Sequence, residues 1–148
     1  MPITAPDLLD LTQDEVDELF SKSEPGPIPS GEGEGTAIIA PGTVLSEPAA
    51  VIAHLFAWKG KIFDPVKGQL INEIGPFGHL AVPAKIYLGE SWLDKRPAIV
   101  LDYSEGSLLA RHIRDEIRSV APGLYLGVAY WDDDKVLSFS LQFDTPAP

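Results

Sequence analysis

The sequence predicts an α+β domain: a curled antiparallel sheet or small β-barrel of about seven strands, with two to three flanking helices. Three observations lead there. From Lys59 onward apolar residues recur at every second position, the period of a strand with one buried face. Short turn segments rich in Gly, Pro and Asp separate most of these stretches, which joins neighbours as antiparallel hairpins and leaves no room for parallel crossovers. Three other segments carry helical spacing and helix-entry signals.

The first element is a short helix. Thr12 and Glu15 have the spacing of a capping box, and Leu11 and Val16 occupy the hydrophobic-staple positions. Val16, Leu19 and Phe20 form a narrow apolar stripe, and the helix ends near Ser23. Residues 24–35, EPGPIPSGEGEG, read as an extended connector that is neither helix nor central strand. Their GEGEG run is no phosphate loop, because it precedes the expected strand Thr36–Ala40 and carries glutamates that repel phosphate. A second helix is expected after Ser46, running to about Ala57, with Pro48 in its first turn. Strands follow at Lys61–Phe63 and Gln69–Ile74, around the turn Asp64–Gly68, and at Leu80–Leu88 and Ala98–Tyr103. Two more close the chain at Leu124–Trp131 and Val136–Phe143, where Leu137, Phe139, Leu141 and Phe143 alternate with polar residues.

The segment before Pro122-Gly123, LLARHIRDEIRSV, reads as a third helix capped by Ser104 or Ser107. At 100° per residue Leu109, Ile113, Ile117 and Val120 share one face, and Arg111, Arg114 and Arg118 point away from it. Three of the chain's four arginines thus make its densest cationic patch. Three readings suit them: a solvated ion-pair face, a docking surface for the acidic N-terminal arm, and an anion site. The division expected is an acidic arm over residues 1–34, a barrel-like domain over 35–144 and a tail over 145–148.

Composition removes several function classes. The 148 residues carry a net charge of −11 and no cysteine. Thiol nucleophiles, disulfides and zinc thiolates are excluded, and no basic footprint for nucleic acid exists. Residues 1–34 hold nine of the 22 acids against Lys22 alone. No run approaches the roughly 18 apolar residues of a membrane helix, and the first residues lack the apolar core of a secretory signal, so a cytoplasmic protein without membrane association is expected. His54, His79 and His112 have no metal-ligand spacing, so neither metal nor cofactor is expected. The arm also makes a homo-oligomer conceivable, docked from one subunit to another.

The inner side of a curled sheet is the default pocket. Polar residues between apolar neighbours are the candidates to face it: Lys85 and Tyr87 in KIYL, Asp102 in VLDY, and Tyr125 in GLYLG, with Lys85, Asp102 and Tyr103 the candidates for catalysis. Asp102 needs a partner, and Lys85 across the sheet is one, as a structural pair, a proton-transfer pair or two wet residues. Glu116 and His112 border the buried face of the expected helix and join Tyr87 and Tyr125 as ligand-binding candidates. The leading expectation is a protein that binds a small, largely apolar molecule in the concave face. A cofactor-free acid–base enzyme acting on such a molecule is the alternative, and an interaction or assembly protein with a filled interior is the third reading.

The layout resembles calycin-type barrels, the class of the lipocalins, although Gly35-Thr36-Ala37 holds alanine where that class has the tryptophan of G-x-W. The segments GTAIIAPGT (35–43), FAWKGKIFD (56–64) and SWLDKRPAIVLDYSEGSLLARHIRDEIRSVAPGLYLG (91–127) are similar to a family of small uncharacterised bacterial proteins. That resemblance implies one compact unit and carries no activity.

Overall fold

The computed structural model describes residues 3–38, 61–74, 80–105 and 110–143. Eight strands form a closed antiparallel barrel in chain order: β1 (Gly31–Ile38), β2 (Lys61–Asp64), β3 (Gln69–Ile74), β4 (Leu80–Glu90), β5 (Pro97–Asp102), β6 (Ile113–Ala121), β7 (Leu124–Trp131) and β8 (Asp134–Phe143). β8 returns to β1, with Gly33 opposite Phe143 and Ile38 opposite Ser138. The odd strands finish at one end, here the rim, and the even strands finish at the other, the base. The helix expected at Glu47–Ala57 lies outside the described residues.

Two expectations are corrected. LLARHIRDEIRSV is not a helix. Ala110–His112 is a single 3₁₀ turn and Ile113–Ala121 is β6, a strand beyond the seven expected. Ile113 and Ile117 are four apart, a spacing that shares one face of a helix and equally one face of a strand. Alternation is hidden because both faces of β6 are buried: Asp115 interrupts the inner face, while Glu116 and Arg118 lie covered on the outer one. The GEGEG run is likewise no connector, since Gly31–Gly35 belong to β1 and pair with β2 and β8. Glycine suits Gly33 because the Phe143 ring lies over it, and a β-carbon there would come within 2.6 Å of that ring.

Two apolar layers result. The inner one fills the barrel with side chains that include Leu70, Ile86, Ile99, Leu101, Ile117, Phe139 and Leu141. Its base is closed by aromatic rings: Phe143 meets Phe63 edge-on at 5.4 Å and Tyr125 at 5.6 Å. The Tyr125 hydroxyl donates to the Pro27 carbonyl at 2.6 Å, and Ile28 packs on the same cluster.

The outer layer sits between the barrel wall and the arm. α1 (Ala5–Leu8) and α2 (Gln13–Lys22) lay Leu8, Val16 and Phe20 on Ile38, Ala98, Leu124, Leu126, Val128 and Tyr130. The Thr12 capping box is formed: Glu15 N donates to Thr12 Oγ1 at 3.2 Å and Thr12 N to Glu15 Oε1 at 3.0 Å. Burying Leu8, Val16 and Phe20 contributes about 1.5–3 kcal/mol each, more than the roughly 1 kcal/mol of an exposed ion pair. Polar contacts then fix where the arm lies. Lys135 pairs with Asp17 at 2.7 Å, Gln13 donates to Ser138 Oγ at 3.2 Å, and Arg96 reaches the Ser21 carbonyl and Glu24.

Arg118 joins three elements. Fully buried, it bonds both Asp94 oxygens at 2.7 Å, the Phe20 carbonyl at 2.8 Å and the Pro97 carbonyl at 3.1 Å, with its guanidinium 4.4 Å from the centre of the Phe20 ring. Hydrogen bonding from Arg118 holds the Asp94 carboxyl below its ordinary value. A lowered folded pKa gives stability that is present above the unfolded value and lost as pH falls through the folded one. Unfolding followed below pH 4 should therefore show an acid loss in the wild type that is smaller in Arg118→Met. Parallel curves for the two proteins would exclude this role for Asp94.

Candidate functional site

Strand parity decides what each expected site residue faces. Ile86 and Leu101 belong to the inner layer, so their neighbours Lys85 and Asp102 turn outward. The two are opposite each other in the β4–β5 register, yet Lys85 pairs with Glu105 at 3.0 Å, and Asp102 accepts from the Tyr87 hydroxyl at 2.9 Å and from Ser104 N at 2.8 Å. The expectation that Lys85, Tyr87 and Asp102 face the interior is thus corrected by parity alone. Burial works against the charge of Asp102, but the bonds from Ser104 and Tyr87 leave its carboxyl below the ordinary value. Burial, and then Asp102, raises the Tyr87 phenol.

Tyr125 does face inward, and Tyr103 is buried with it in the inner layer. Asp115 shares their side: it lies between Ile113 and Ile117 on β6, opposite Leu101 and Ala129, and is 1% exposed. Sequence reading passed over it because a helical projection put it on the wet face.

Glu116 is outward but fully covered. It accepts from Ser91 Oγ at 2.7 Å, Trp92 N at 2.8 Å and Arg114 Nε at 3.1 Å, which straps the β4–β5 connection onto the barrel wall. Arg114 also donates to the Glu90 carbonyl at 2.8 Å and stands 4.2 Å from the centre of the Trp92 ring. Tyr130 meets Trp92 edge-on at 5.1 Å. Its hydroxyl is held well above the usual phenol range, by burial first and then by the Glu116 carboxylate.

Near the rim, beside this strap, a groove of about 430 Å³ opens between Trp92, Asp102, Ser104, Arg111, His112, Ile113, Arg114, Asp132 and Asp133. His112 ends the 3₁₀ turn that leads into β6, and Asp132 follows the end of β7. The register pairs Ile113 with Trp131, which brings the two together. His112 Nδ1 lies 2.7 Å from Asp132 Oδ1, and Asp132 N donates to the His112 carbonyl at 2.8 Å. The imidazole stacks on Trp131, with centroids 5.0 Å apart and 20° between the planes. Asp132 adopts φ 54°, a left-handed conformation that non-glycine residues seldom take and that Asp tolerates better than most. The arginine trio is therefore divided: Arg118 lies under the arm, Arg114 in the strap and Arg111 exposed in the groove.

Among the described residues no helix is long and apolar enough to cross a membrane. No family model and no curated protein matches the chain. A solved structure, the crystal structure of a protein from Thermomonospora curvata, is similar in fold: it aligns over 90% of this chain and 88% of its own at a TM-score of 0.62, with 18% identity.

Proposed function

We propose that the protein binds a small molecule at the rim of its barrel, in the groove between Trp92, Arg111 and His112. The observation that supports this is the convergence of a half-exposed tryptophan, an exposed arginine, a histidine and a serine hydroxyl on one cavity of about 430 Å³. Sites for small molecules have volumes of roughly 300–1,000 Å³ and recur in the mouths of β-barrels. Two arginines face three aspartates there, so a ligand with donors and acceptors but little net charge suits the lining. Trp92 and Ile113 offer it apolar surface.

An NMR titration with two probes tests this against an apolar ligand inside the barrel. Methyl benzoate should shift the Trp92 indole, Arg111 and His112 signals, and Trp92→Ala should weaken its binding about tenfold. Dodecanol perturbing Leu101, Ile117 and Leu141 methyls, with the groove signals still, would transfer the ligand to the interior. No response to either probe would leave the groove reading without support.

A further inference from the structure

We infer that the groove is also a hydrolytic site for small neutral acyl esters, with His112 as general base and Asp132 as the residue that positions it. The inference rests on the groove being a ligand site. Three features of His112 support it. Asp132 Oδ1 at 2.7 Å holds the proton on Nδ1, which leaves the lone pair on Nε2. Stacking on Trp131 and the backbone bond from Asp132 N to the His112 carbonyl restrain the ring and the turn it faces. Asp132 is the first residue of the two-residue β7–β8 turn, whose geometry requires its φ of 54° and so fixes where its carboxylate stands.

The rest of the lining suits the reaction. Arg111, next to His112 in the 3₁₀ turn, is exposed in the groove and makes no ion pair among the described residues, so its guanidinium is available to a developing oxyanion. Arg114 is engaged by Glu116 and the Glu90 carbonyl. Asp102, Asp132 and Asp133 disfavour an anionic substrate, which points to a neutral ester that becomes charged only in the transition state. In the step proposed, Nε2 takes a proton from water as the water oxygen bonds to the acyl carbon. The carbonyl electron pair moves onto oxygen beside Arg111. Collapse of this intermediate breaks the bond to the leaving oxygen, which receives the proton from Nε2. Ester and water thus give carboxylic acid and alcohol, with no other reactant.

The probe is 4-nitrophenyl acetate, and the readout is 4-nitrophenolate release by the intact protein. General-base catalysis contributes about 10²–10⁴-fold. The wild type should therefore exceed an equal concentration of N-acetylhistidine by about 10²-fold, and the reaction should slow in D₂O. His112→Gln should remove this excess while melting within a few degrees of the wild type. Asp132→Asn should lower kcat at pH 8 and leave KM unchanged. It should also move the His112 ¹⁵N signals toward the other tautomer, which a merely structural turn contact would not couple to rate. Arg111→Gln should lower kcat without altering that tautomer. A wild-type rate no better than N-acetylhistidine, or one unchanged in His112→Gln, would overturn the inference. If methyl benzoate still mapped to the groove in that case, the binding site would stand and the chemistry alone would fall. Hydrolysis lost in His112→Gln without methyl benzoate binding would instead count against the binding reading as tested.

Discussion

Arg118→Ala is expected to destabilise the protein by about 3–5 kcal/mol, the usual consequence of removing one partner of a buried ion pair. The change takes a bidentate partner from Asp94 and a donor from each of the Phe20 and Pro97 carbonyls. It also leaves a void beside the Phe20 ring. Equilibrium denaturation would measure the loss, and hydrogen exchange would locate it, with α2 amides exchanging faster than those of β7. The double variant Arg118→Met, Asp94→Leu should recover much of the stability, because it removes the orphaned carboxylate and fills the volume. Lys85→Ala is the control, since its pair with Glu105 is exposed and contributes at most about 1 kcal/mol. Equal losses for Arg118→Ala and Lys85→Ala would show that Arg118 does not hold the arm, β6 and the β4–β5 connection together.

Phe139→Ala should cost a similar amount, about 3–5 kcal/mol, through lost burial and the cavity left behind. Phe139 is fully buried in the inner layer opposite Gly127, and its ring fills the space a side chain at 127 would need. Gly127→Ala is the reciprocal test: a β-carbon there would overlap the ring, an overpacking expected to cost about 1–3 kcal/mol. The two positions should couple, so Phe139→Leu should reduce the penalty of Gly127→Ala when both are present. Additive losses in urea unfolding would mean that the barrel relaxes elsewhere and that the contact does not set its width.

Much of this fold was legible from alternation. The bounds of β3 and β7 coincide with those read from the sequence, and β8 needed two residues added at its start. Thr12 and Glu15 announced α2 through spacing alone. Alternation failed where both faces of a strand are covered. β6 is buried inside by the barrel contents and outside by α2 and the β4–β5 strap, so charged residues stand at buried positions and the period of two disappears. That one misreading had consequences for the site. Taken as strands, the segments on either side of Pro122-Gly123 pair in a register that sets Ile113 opposite Trp131 and brings His112 beside Asp132. Taken as a helix, the same residues give His112 no relation to a carboxylate twenty positions later. The outward turn of Lys85 and Asp102 was legible too, since Ile86 and Leu101 are the more apolar choices for the core. The covered state of Glu116 was not, because it depends on where the β4–β5 connection folds back.

The pairing of β1 with β8 also bears on the order in which the ring assembles. Each other junction joins strands that are consecutive in the chain, so those seven can form before the ring closes. The last brings Gly33 to Phe143 across roughly 110 positions, which would cost about 4 kcal/mol of loop-closure entropy in an unstructured chain and far less once the intervening strands have paired. The Gly33–Ile38 edge has six partners on β8. During synthesis those residues are made long before their partners, and until β8 emerges they expose an unsatisfied backbone row that invites the wrong strand. Two glycines and a glutamate at its start, Gly33-Glu34-Gly35, serve as protection in that interval: weak formers of intermolecular sheet, carrying a charge that keeps sister chains apart.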